Sequence, residues 1–130
     1  MTSYRDLIAW QRAMQLARLV YDVTSSFPSS ERYGLIQQMR RAAVSIASNI
    51  AEGAGRLTTR DWQHFLGQAR GSTFELTTQL LLSSDLGFAP REQLERAIQD
   101  AEEVGRIING LLSSTERRSD RKPTTPSTND

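Results

Sequence analysis

Apolar residues recur three and four apart along nearly the whole chain, and only three short interruptions break that rhythm. Leu7, Trp10, Met14, Ala17 and Tyr21 share one face of a helix. Leu35, Met39, Ala42, Ala43, Ile46 and Ile50 do the same, as do Trp62, Phe65, Leu66, Ala69, Thr73, Leu76 and Leu80. Leu94, Ala97, Ile98, Ala101, Val104, Ile108 and Leu111 complete a fourth set. The interruptions are Phe27-Pro28-Ser29-Ser30, Gly53-Ala54-Gly55 and Gly87-Phe88-Ala89-Pro90, with Ser30 and Thr58-Thr59 as candidate caps. No strand-like alternation competes. The pattern predicts an all-α protein with helices over 4–26, 30–54, 59–86 and 90–115. Short connections make sequential neighbours antiparallel, an up-down-up-down four-helix bundle. Its 130 residues suffice for one core, with the bundle occupying 1–115. The polar segment 116–130, with Pro123 and Pro126, reads as a disordered tail.

Helix one is too apolar for a helix that buries one face. Leu16, Leu19, Val20, Val23 and Phe27 fall on a second side, away from the Leu7–Tyr21 seam. That side predicts a surface covered by another subunit, in a ring-like homo-oligomer. Charge is also divided. Through Arg56 there are seven arginines against four acids; from there to residue 115 there are five against eight. Head-to-tail contact between unlike halves of neighbouring copies would use that difference.

Several chemistries lack their residues. There is no cysteine, so disulfides and thiolate metal sites are excluded. His64 is the sole histidine, and one Asp61-x-x-His64 without a second copy is a poor metal site. No nucleophile–base pair is visible and no Gly-x-Ser-x-Gly is present, so the reading is non-enzymatic, with no cofactor and no metal. Gly53-Ala54-Gly55-Arg56 precedes a helix start, where a phosphate can bind, but it lacks the rest of a phosphate loop and reads as a flexible turn. Gly67 and Gly71 suggest close approach of a second helix. The opening Met1–Asp6 does not read as a signal peptide. The longest aliphatic run, Leu80-Leu81-Leu82, is far short of the ~20 residues a membrane span needs. These features predict a cytoplasmic protein.

Helix two carries the most informative polar pattern. Opposite its apolar seam run Gln37, Arg41, Ser45, Ser48 and Glu52, flanked by Arg40 and Asn49. Short serines between charged ends form a low strip, suited to a subunit interface or a ligand, with a solvated face as the alternative. Arg41 would need an acid such as Glu75, and Glu52 an arginine from elsewhere.

The run Phe27-Pro28, Glu31, Gly34-Leu35, Gln38, Arg40-Arg41-Ala42-Ala43, Ser45-Ile46, Asn49-Ile50-Ala51-Glu52-Gly53, Gly55-Arg56 resembles the signature of the 23S rRNA intervening-sequence protein family. Phe65-Leu66, Ala69, Gly71-Ser72, Glu75 and Leu80 continue the resemblance, and Leu7 and Trp10 match its opening. It spans roughly residues 4–112, and its Ser-Ile-x-x-Asn-Ile-Ala-Glu-Gly core is specific. The resemblance implies a small cytosolic bacterial bundle assembled as a homopentamer. The accessory protein of diversity-generating retroelements shares the fold and binds nucleic acid through a basic surface. Carried onto matching positions, the candidate interface or nucleic-acid-binding residues are Arg40, Arg41, Asn49, Glu52 and Arg56. The expected function is an oligomer associated with structured RNA or a ribonucleoprotein; the alternative is a scaffolding oligomer that recruits a protein partner.

Overall fold

A computed structural model describes residues 3–121, and within them the protein folds into four α-helices with no strand. They are α1 (Ile8–Thr24), α2 (Leu35–Ala54), α3 (Thr59–Leu86) and α4 (Arg91–Arg121). Each packs on its sequence neighbours and α1 closes against α4, so α1 and α3 stand on a diagonal. Phe27 meets Phe88 edge-on at 5.5 Å, which brings the α1–α2 and α3–α4 connections to one end of the bundle. At the other end Gln63 Nε2 donates to Thr115 Oγ1 at 3.1 Å, tying the start of α3 to the late turns of α4. Up-down-up-down packing follows from these contacts.

The helix ends explain where the elements stop. Thr58 accepts from the Asp61 N–H at 3.1 Å, a side-chain cap with an acid at the third helical position. Gly87 takes φ 68°, and the N–H groups of Gly87 and Phe88 return to Ser84 O and Ser83 O at 3.1 Å. Those two bonds satisfy carbonyls that the end of α3 would otherwise leave bare. The start of α2 departs from expectation. Ser29–Glu31 forms a separate 3-10 turn, and Ser30 caps nothing; Glu31 Oε1 instead accepts from the Leu35 N–H at 3.2 Å. Tyr4–Asp6 is likewise a 3-10 turn that precedes α1 rather than its first turn.

Helix four also runs farther than expected. It continues to Arg121, so residues 116–121 are helical where a tail was anticipated. The sequence there offers good helix formers and no breaker before Pro123, which disfavours helix at the residue preceding it. Thr115 is buried and anchors the segment. The remainder of the expected tail, 122–130, lies outside the described residues.

The core reverses the expected roles of the two sides of helix one. Leu16, Val20, Val23 and Phe27 are buried inside the bundle, with Ala9 and Ala13. The seam expected to be core is the half-open one: Ala17 is buried, but Leu7, Trp10 and Met14 are only partly buried and Tyr21 is exposed. A subunit is therefore not needed to cover the Leu16–Phe27 side. Periodicity detects two apolar sides but not which one turns inward. Small Ala9 and Ala13, interleaved with Leu16 and Val20, let α1 approach its neighbours closely. On the other three helices the expected faces are the buried ones, led by Met39, Ile46, Ile50, Leu66, Leu76, Leu80, Leu94, Val104 and Ile108.

The glycines separate sharply. Gly53 is no flexible turn: it is buried in the last turn of α2, where an added Cβ would lie 2.7 Å from Phe65 Cβ and 2.7 Å from the Trp62 ring. Only glycine lets α2 and α3 meet there. Gly67 and Gly71, expected at a close helix contact, have nothing within 4 Å of an added Cβ. No helix of this chain approaches them.

Candidate nucleic-acid interface

The connection from α1 to α2 turns through Pro28 and a 3-10 turn before Gly34, which sets Arg32 and Tyr33 on the outside. Tyr33 is 83% exposed. Beside them α2 contributes Ile36, Gln37, Arg40, Arg41 and Val44, and α1 contributes Tyr21. Together these line a groove of about 510 Å³ that holds three guanidinium groups, two phenols and no carboxylate. Glu31, next to Arg32, caps α2, and the exposed Asp22, next to Tyr21, lines a neighbouring pocket instead.

The two adjacent arginines do different work. Arg40 is half-buried: its Nε donates to Thr24 Oγ1 at 2.9 Å and an Nη to Tyr21 O at 3.3 Å, and its guanidinium lies 4.5 Å from the centre of the Tyr21 ring. It ties the last turn of α1 to α2 and places a cation at that C-terminal end. Arg41 is exposed, with no ion pair to Glu75 or to any other described acid. Its positive charge is available.

The other candidates belong to separate arrangements. Asn49 Nδ2 donates to Ser45 O at 2.9 Å and Ser45 Oγ at 3.0 Å, and Ser45 Oγ shares a hydrogen bond of 2.9 Å with Ser72 Oγ on α3. This is a polar link between helices. Glu52 finds its arginine one turn on in its own chain, with Arg56 at 2.7 Å, and Arg56 lies 4.9 Å from the centre of the Phe65 ring. Both side chains are about half exposed, so the pair adds little stability. Arg40 and Glu52 stand about 18 Å apart along α2. The expected strip is thus three features: an arginine groove, a serine link to α3 and an ion pair at the helix end.

Sequence reading missed Tyr21, Arg32 and Tyr33. Tyr21 was assigned to the core by its spacing. Arg32-Tyr33 carried a usable signal, a cation and an aromatic ring adjacent in a turn, beside the Arg40-Arg41 pair.

Compared with known proteins, residues 5–110 match the family model for the 23S rRNA-intervening sequence protein. The chain belongs to that family. The family match takes in α1, α2 and α3 and all of the groove, and stops within α4. Among solved structures, a protein of unknown function from the S23 ribosomal protein family of Bacteroides thetaiotaomicron VPI-5482 superposes with a TM-score of 0.74 at 20% identity. That similarity covers 82% of this chain and 96% of the other. It supports the family's fold. No curated protein matches the sequence. Among the described residues no group of three metal-ligating side chains is present, and no helix is long and apolar enough to cross a membrane.

Proposed function

We propose that this family member is a non-enzymatic, cytoplasmic homo-oligomer that associates with structured RNA through the arginine–tyrosine groove. Five subunits is the number the family likeness implies. The observation that carries the reading is the lining of the groove: Arg32, Arg40 and Arg41 beside Tyr21 and Tyr33, without an acid. Guanidinium groups pair with phosphate oxygens, and an exposed phenol ring offers a stacking surface for an unpaired base in a loop or bulge. The modest net charge of +1 makes the interaction local to this groove rather than a property of the whole surface.

A salt titration of binding to a structured RNA with unpaired loops tests it. Arg32→Ala and Arg41→Ala should each weaken binding and flatten the log–log salt slope by roughly one phosphate contact, with melting temperature and mass unchanged. Binding that is absent at low salt, or indifferent to both substitutions, refutes the reading. Arg40 is unsuited to this test because it also holds α1. The competing reading, a scaffold that recruits a protein, is favoured by the fully exposed Leu57 and by Ile8, 61% exposed. It predicts a partner whose retention survives high salt.

A further inference from the structure

Helix α3 is apolar on two sides. Its inner side, with Leu66, Ala69, Leu76 and Leu80, is core. Its outer side carries Gly67, Gly71, Phe74, Thr78 and Leu81, which fall within about 80° of one another around the axis at 100° per residue. Phe74 is 52% exposed and Leu81 50%, and Leu82 and Leu86 flank them. Glycine weakens a helix interior, and these two glycines obtain no close packing within the chain in return. On the opposite flank of the bundle a trough of about 330 Å³ runs between α1 and α2. Ala17, Ala47, Ser48 and Ala51 form its small-residue floor, and Trp10 and Met14 its walls.

We propose that the outer face of α3 docks into the α1–α2 trough of a second copy of this chain. The inference rests on the oligomeric part of the reading above and names its two faces. Dimensions agree. Phe74 and Leu81 are about 10 Å apart along α3, and the trough runs about 10 Å from Trp10 to Ala17 and from Val44 to Ala51. Bare backbone at Gly67 and Gly71 permits close helix contact, and the shallow floor receives large side chains. Glu75 and Asp85 lie along the α3 face, while no carboxylate lines the trough itself, beside which stand the exposed Arg5, Arg18 and Asp22. Arg70 is folded over the Phe74 ring at 4.9 Å.

Because α1 and α3 are diagonal, the two faces lie on different sides of one bundle. A docked pair keeps one free trough and one free α3 face, so assembly is heterologous and closes as a ring or runs on. The trough borders the arginine groove at Val44, which places a groove beside every junction.

The absence of cysteine from the chain makes the test direct. In the double variant Ser48→Cys, Thr78→Cys, mild oxidation should produce a ladder of covalent multimers, while each single variant stays uncross-linked. Gly71→Leu places a side chain where the isolated bundle has open space, so it should keep helicity and melting of the fold yet weaken association about tenfold or more. Cross-linking of Thr78→Cys alone would mean symmetric pairing of α3 and overturn the proposal. An oligomeric mass by light scattering without a 48–78 cross-link also overturns it, and leaves the oligomer reading standing. A monomeric mass at micromolar concentration defeats both.

Discussion

The two halves of the bundle solve the same packing problem by different means. The α3–α4 half consists of long helices, 28 and 31 residues, joined by a regular left-handed glycine turn. Its exposed surface carries ordinary ion pairs such as Arg106–Glu103 at 2.6 Å, where the guanidinium holds the Glu103 carboxyl below its usual range. The α1–α2 half is shorter, 17 and 20 residues, and its connection is an irregular path through Pro28 and a 3-10 turn. There the backbone groups are satisfied by side chains: Thr24, Ser25 and Ser26 donate to carbonyls one turn back, Arg40 reaches across from α2, and Glu31 caps α2. The regular turn leaves nothing over for other uses. The irregular one presents Arg32 and Tyr33 to solvent, which is why the candidate site lies in that half.

Five substitutions sharpen the contrast. The largest effect is expected within α1, where Leu16 is fully buried and Met14 half-open. Leu16→Ala should cost about 2–5 kcal/mol in denaturant unfolding, and Met14→Ala distinctly less in the isolated bundle. Equal losses would mean that the Trp10–Tyr21 side is core after all. Next comes the joint between the halves. Gly53→Ala forces Trp62 and Phe65 to shift, so despite the better helix propensity of alanine it should destabilise by about 1–3 kcal/mol. A rise in melting temperature would show that the two helices separate freely at that point. The smallest effect distinguishes the adjacent arginines. Arg40→Ala should lose about 1–2 kcal/mol with its bonds to Thr24 and Tyr21, whereas exposed Arg41→Ala should stay within about 0.5 kcal/mol.

Much of the fold was legible in the sequence, because apolar spacing and proline and glycine positions report helices and their breaks directly. The bounds of α3 agree to the residue, since Thr58 and Gly87 are local signals that need no tertiary context. Two failures share one cause. The inward side of α1 and the role of Gly53 depend on how closely another helix approaches, and spacing along one strand of sequence carries no such distance. The end of α4 failed differently: polar composition suggested disorder, yet Glu116, Arg117 and Arg118 are good helix formers that extend an existing helix. At the site, Arg40 and Arg41 were visible as a basic pair. Their division into a structural and an available cation depends on the position of Thr24, sixteen residues away in sequence.

The Gly87 turn also governs the order in which the chain can be closed cheaply. Pairing α3 with α4 closes only residues 87–90, whereas pairing α1 with α4 must enclose α2 and α3 entirely. Pairing α2 with α3 closes an equally short span, residues 55–58, and synthesis completes that pair first. Leu16, Val20 and Ile46 leave the ribosome before α4, and the side of α1 that packs on α4 stays open until Gly87 has emerged and α4 can fold back. Helix α1, which opens the half that bears the candidate site, is therefore the first made and the last to be enclosed.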